Sequence, residues 1–252
     1  MSSPVVNFKP LGLLPFSEVW DIQEELLKEN LLHKTELRRE ENADQAKILL
    51  SASENPRERL KNHLIFCQHP HVYTIGKGGD EKNLLIGESN RKQLGIEYFR
   101  INRGGDITYH GPGQLVGYPI FDLEQFKPDI NWYLRSLEES IILTLDEYGI
   151  RGTQIKGLTG VWLRDGPRGQ RKILAIGVRC SRWITMHGFA FNINTDLSFF
   201  RNIIPCGITE YEVTTLSGEL GQEMNFDEVS EKVLKNMKTV FNFRLAEPSA
   251  QT

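Results

Sequence analysis

The sequence predicts one α/β domain of the α+β kind, a mixed β-sheet flanked by helices, spanning residues 1–252. Strand-like runs outnumber helical ones, and the two kinds do not strictly alternate, which argues against a doubly wound parallel sheet. At 39% hydrophobic and 25% charged residues, 252 residues fall within the range of one large domain with a sizeable core.

Taken in order, Ser17 reads as an N-cap, with Glu18 and Asp21 suiting the positive end of a helix. Val19, Ile22, Leu26 and Leu27 supply its apolar face. Residues 34–61 turn polar and charged, either a solvated helix or an inserted excursion, and no chemistry is assigned to them. Leu64-Ile65-Phe66 and Val72-Tyr73-Thr74-Ile75 are two strand-like runs separated by Pro70. Cys67 reads as a small core residue. Lys77-Gly78-Gly79-Asp80 is a loop lacking the pattern of a phosphate cradle, and residues 96–101 form another strand.

Residues 103–118, RGGDITYHGPGQLVGY, organise the chain. Five glycines and a proline are mixed with strand-forming types, so two strands, 107–109 and 114–121, are expected to be pinched together by Gly111-Pro112-Gly113. Such glycines mark either tight turns or a backbone that a ligand approaches closely, and composition leaves both open. Ile130, Tyr133, Leu134, Leu137, Ile141, Leu145 and Tyr148 then recur at helical spacing, with Gly149 at the C-terminal cap. Residues 160–163 and 172–179 read as a strand pair across a turn-rich connection, and 187–193 as a further strand. Asp227 is read as capping a last amphipathic helix, and residues 245–252 as a disordered tail.

A net charge of −3 supplies no global reason to expect nucleic acid or a membrane. Cys67, Cys180 and Cys206 are odd in number and lack CxxC spacing, so neither disulfides nor a structural metal is expected, and a reducing compartment fits better. The first residues carry no secretion or import pattern, and no apolar run approaches a membrane span, so the expected location is cytoplasmic. One local imbalance stands out. Between Arg151 and Arg182 lie eight basic residues against the single acid Asp165, either a docking face for an acidic partner or strand edges protected by charge.

Two residues are candidates for chemistry. Cys206 sits between Pro205 and Gly207, a thiol at a bend with little bulk beside it, and is either catalytic or structural. Lys172 opens the apolar run Ile173-Leu174-Ala175-Ile176, where desolvation would fit an amine for proton transfer. The alternatives are a strand-end lysine in water, or Arg171 as the inward residue.

Together, residues 103–118, KILAIGVR at 172–179, HGFAFN at 187–192, Asp196-Leu197-Ser198 and Pro205-Cys206-Gly207 resemble, in order, the lipoyl(octanoyl) transferases of lipoate biosynthesis. That resemblance implies the biotin/lipoate protein ligase-like fold and no cofactor. It implies Cys206 as acyl-thioester nucleophile and Lys172 as proton-transfer group that lowers the thiol pKa. It also implies a substrate pocket walled by Arg103, Gly104, Gly105, Asp106, Ile107, Thr108, Tyr109 and His110, by Ala175, Ile176 and Gly177, and by Gly188, Phe189 and Ala190. The implied donor is octanoyl-acyl carrier protein. The implied acceptors are lipoyl domains of 2-oxoacid dehydrogenases and the glycine cleavage H protein, and a monomer is expected. His110 and His187 fall near the chemistry, with proton transfer and loop ordering both open. An ATP-dependent ligase would not need the cysteine, and the large Leu174 and Ile176 replace the small residues expected around an adenylate. A non-catalytic binding subunit would not need Cys206 or Lys172, and both are present.

Overall fold

The computed structural model describes residues 3–44, 60–166, 168–204 and 212–247. Two sheets divide the strands. The larger is ordered β10 (Glu212–Val213), β8 (Arg171–Ser181), β9 (Ile184–Asn192), β6 (Gln114–Ile120), β2 (Asn62–Gln68), β1 (Val5–Leu13) and β11 (Arg244–Leu245), with β7 (Val161–Leu163) also paired to β8. The smaller is ordered β4 (Glu97–Arg100), β3 (Val72–Ile75) and β5 (Ile107–His110). Parallel and antiparallel ladders are mixed, as the expected fold class requires.

Side-chain alternation explains why these strands read as continuous apolar runs. On β2, Leu64 and Phe66 face the helices α3 (Ile130–Asp146) and α5 (Phe226–Phe241). Ile65 and Cys67 face the opposite side, with Val116, Tyr118 and Ile120 of β6, beneath α1 (Phe16–Asp44). A sheet covered on both faces buries both parities, which removes the polar half of the alternation. Cys67 is buried there, as expected.

The expected pinched pair, 107–109 with 114–121, is not a hairpin, and the two runs on either side of Pro70 do not pair with each other either. Both connections, 69–71 and 111–113, carry the chain from one sheet to the other, since β3 pairs with β5 while β2 pairs with β6. Residues 103–118 therefore cross the seam between the sheets. The pair β7 and β8 does form, antiparallel, across the turn-rich connection.

Helix α1 corrects two expectations. It begins at Phe16, so Ser17 lies inside the first turn rather than capping it. Its buried face continues from Val19 through Gln23, Leu27, Asn30, Lys34 and Leu37 at spacings of three and four, so the first part of 34–61 is a packed helix and not a solvated one. Polar residues on that face hid the stripe. Each has a fixed partner: Asn30 exchanges two hydrogen bonds with the Lys61 backbone, and Lys34 Nζ meets Asp122 Oδ1 at 2.7 Å and donates to Arg182 O at 2.8 Å. Residues 45–59 lie outside the described residues.

At the chain ends, β1 and β11 add parallel strands that the sequence pattern does not announce. Only Val6 of β1 is buried, so long-range pairing rather than alternation makes it a strand. Leu245 belongs to β11, so the expected tail does not begin there; residues 248–252 lie outside the described residues. Gly149 takes its expected place after α3, with φ of 72°. The cap of α5 is Asn225, not Asp227: its side chain accepts from the N–H groups of Asp227 and Glu228. Among the described residues, no helix is long and apolar enough to cross a membrane.

Candidate active site

At the seam lies a cavity of about 370 Å³, within the range of small-ligand sites. Residues 103–108 form one wall and β8 and β9 the other, and the two are stitched together by Gly104 N–H donating to Val178 O at 2.8 Å. Arg103 is buried in the stitch, donating to Thr74 O at 2.8 Å, Thr74 Oγ1 at 3.0 Å and Gly104 O at 2.9 Å. The walls meet so closely that a Cβ on Gly177 would fall 2.9 Å from Arg103 Cδ and 3.1 Å from Gly104 O. Glycine is needed at 177 for approach, not for a special φ.

Lys172 lines this cavity. The β7–β8 ladder opposes Trp162 to Lys172 but Val161 to Leu174, leaving Ile173 as an extra residue, a bulge that re-aims the side chain before it. The Lys172 ammonium sits 4.5 Å from the Trp162 ring centroid, an attractive cation–π geometry. Its neighbour Arg171 is the more buried of the two, but it is held in a fork by Glu219, with Nε to Oε1 at 2.7 Å and Nη2 to Oε2 at 2.6 Å. Inwardness is thus shared. Arg171 is locked structurally, and Lys172 faces the cavity.

Two histidines complete the walls, His110 and His187. Burial, with the nearby Arg103 charge also opposing a proton, pushes each imidazole down to about 3, so both are neutral near pH 7. His110 Nδ1 lies 2.8 Å from Gln114 Oε1; the amide oxygen accepts, which assigns that ring proton to Nδ1. Gln114 Nε2 donates onward to Asn192 Oδ1 at 2.9 Å, and Asn192 Nδ2 to Thr214 O at 3.1 Å. Thr214 N–H then donates to Lys172 O at 2.9 Å. His187 has φ of 57°, and its N–H donates to Gln23 Oε1 of α1 at 3.0 Å. Both histidines thus tie the walls to neighbouring elements through hydrogen bonds. Among the described residues, no group of three or more His, Cys, Asp or Glu is arranged to hold a metal ion.

The family model described as the lipoyl protein ligase A/B catalytic domain matches residues 39–238. An octanoyltransferase of Christiangramia forsetii is 51% identical over 241 residues, covering 95% of this chain and 97% of its own. Another, of Flavobacterium psychrophilum, is 52% identical over 238 residues, covering 94% and 97%. The chain belongs to the octanoyltransferase family. Its fold is that of the lipoate protein ligases: a bi-partite lipoate protein ligase of Thermoplasma acidophilum superposes with a TM-score of 0.65 at 16% identity, covering 98% of this chain and 87% of that one. A lipoate-protein ligase A bound with ATP gives 0.63 at 14% identity, covering 98% and 89%.

For a member of the octanoyltransferase family, the expected wall residues largely converge. Arg103, Gly104, Gly105, Asp106, Ile107, Thr108 and His110 line the cavity, as do Ala175, Ile176, Gly177, Gly188, Phe189 and Ala190. Tyr109 is not brought to it. Strand alternation turns Tyr109 into the core of the small sheet, stacked 5.1 Å from Phe199, with its hydroxyl 2.7 Å from His71 Nδ1. Asp106 lines the wall but also ties it down, accepting from Ile107 N–H at 2.7 Å and Asn83 Nδ2 at 2.6 Å. Cys206 and its neighbour Gly207 lie outside the described residues. Gly177 is paired opposite Gly188 in the ladder.

Sequence reasoning missed Gln23, Gln114, Asn192 and Trp162. Gln23 had a legible signal, an amide four residues after Val19 on an apolar helix face. The others become partners only when β6, β7, β8 and β9 are assembled. The basic run from 151 to 182 is partly spent within the fold, with Arg168 and Arg171 on Glu219 and Arg179 on Glu24.

Proposed function

We propose that this chain takes an octanoyl group from octanoyl-acyl carrier protein onto Cys206 and passes it to the ε-amine of a lysine on a lipoyl domain, the first step of endogenous protein lipoylation. Octanoyl transfer itself, as an acyltransferase of lipoate biosynthesis, follows from family membership. The observation that carries the finer reading is the Lys172 side chain on a cavity wall, with one of the two anchored ends of the segment that contains Cys206 beside it. On one side Ile204 N–H donates to Asn83 O at 2.8 Å; on the other Val213 pairs opposite Lys172 and itself lines the cavity.

In the first half, the Cys206 thiolate attacks the donor thioester carbonyl and the bond to the carrier sulfur breaks. The carrier leaves as a thiolate that takes a proton, and one thioester has replaced another at little thermodynamic cost. In the second half the acceptor amine attacks, an amide forms, and the Cys206 sulfur departs. Lys172 favours the thiolate as a cation and gives its proton to the departing carrier thiolate; as the neutral amine it then takes the proton of the attacking amine and returns it to the Cys206 sulfur. The methylenes of the acyl chain lie against small residues such as Ala175, Gly177 and Ala190, and each one buried contributes about 0.8 kcal/mol. Walls that exclude water protect the acyl-enzyme from hydrolysis. The chain acts as a cytoplasmic monomer, and the basic residues left unspent by the fold meet the acidic carrier.

Intact-mass spectrometry with octanoyl-acyl carrier protein, without ATP or acceptor, tests this. A hydroxylamine-sensitive octanoyl adduct on Cys206, discharged by an added lipoyl domain, is expected. Acceptor modification that requires ATP and free octanoate would overturn it in favour of a ligase.

A further inference from the structure

Behind the Lys172 wall, and outside the cavity lining, α3 carries a fully buried carboxylate. Glu138 Oε1 accepts from Gly160 N–H at 2.8 Å, and its Oε2 lies 2.7 Å from Arg135 Nη1, one turn earlier on the helix. Arg135 reaches the same segment from its other end, its Nη2 donating to Leu158 O at 3.3 Å. The pair thus grips the backbone of residues 158–160 at two points. Residues 157–159 are cavity wall. Gly160, at φ of 116°, has no side chain to crowd the lysine stem: a Cβ there would fall 3.4 Å from Lys172 Cε and 2.3 Å from Leu174 O. Two residues on, the Trp162 ring lies under the ammonium.

A carboxylate buried beside a guanidinium that stays 38% exposed is a poor way to add stability, because well-packed apolar residues of similar volume do as well or better. Its presence here needs a positional reason. We infer that Glu138 is a positioning residue for Lys172: with Arg135 it holds the 158–162 segment against the lysine stem and so sets where the amine stands on the cavity wall. Burial drives the Glu138 carboxyl above its ordinary range, and the Gly160 N–H, Arg135 and Lys172 each oppose that drive.

This inference rests on Lys172 acting in proton transfer. The full-length chain is assayed for octanoyl transfer from octanoyl-acyl carrier protein to a lipoyl domain, comparing the parent with Lys172→Ala, Glu138→Ala, Glu138→Gln and the Lys172→Ala/Glu138→Ala double variant. Glu138→Ala is expected to lower kcat about tenfold or more with the donor KM within about twofold, the signature of a group that matters in the reacting complex. Glu138→Gln keeps an acceptor for Gly160 N–H and should restore most of the rate. Because Glu138 acts through Lys172, the double variant should be no slower than Lys172→Ala. Should Glu138→Ala fail to fold, Glu138→Asp, which withdraws the carboxylate by one methylene, must show the same kcat loss. Unchanged kcat in that variant, multiplying effects in the double variant, or a joint change of kcat and KM that Gln does not rescue would overturn the inference. A parent-like Lys172→Ala would instead overturn the role of Lys172 itself.

Discussion

Mild acid should strongly destabilise this chain. His63 and His69 are pushed down to about 4, and His110 and His187 to about 3, in every case chiefly by burial. The unfolded chain binds a proton at each site as pH falls through 6.5, whereas the native chain binds none until pH nears 4 or 3. Stability is therefore fully present above the unfolded pKa and is lost as pH falls below it. Between pH 7.5 and 5.5 each group costs about 1.4 kcal/mol, so the four together cost about 5 kcal/mol. That is comparable to the whole stability of many domains, about 5–15 kcal/mol. Urea unfolding followed by tryptophan fluorescence across that range measures it directly. His110→Gln and His187→Asn should each reduce the pH slope by about one proton, Asn being tolerated at the positive φ of residue 187. A free energy that stays flat within about 1 kcal/mol from pH 7.5 to 5.5 would refute the claim that these rings are held neutral.

Further outcomes are expected. Cys206→Ser should abolish the hydroxylamine-sensitive adduct while leaving the circular dichroism unchanged, and persisting turnover through a thioester would refute the nucleophile. Trp162→Leu removes the aromatic face under Lys172 and should slow transfer by about twofold to thirtyfold, since such a contact is worth about 0.5–2 kcal/mol. Gly177→Ala places a methyl against Arg103 and the Gly104 carbonyl and should destabilise by about 1–3 kcal/mol, read as a lowered Tm. Lys34→Met leaves Asp122 buried without its cation and should cost about 3–5 kcal/mol, visible as a shifted urea midpoint at constant slope.

The sequence alone determined the fold class, the α3 helix with its cap glycine and the β7–β8 pair, because these depend on local periodicity and turn signals, whereas the wall residues are expected only through family resemblance. Only the tertiary structure decided three other matters. Residues 107–109 and 114–121 join different sheets, a choice made by long-range ladders that alternation along the chain does not encode. The stripe on α1 continues through Gln23, Asn30 and Lys34, because burial of a polar residue is set by the partner waiting for it: the His187 N–H, the Lys61 backbone and Asp122. And the Lys172 amine is aimed by a bulge at Ile173, the Trp162 ring and the Gly160 backbone. A sequence names the residue that can carry a proton; the place where its nitrogen stands is fixed by atoms brought together only when the strands and α3 pack.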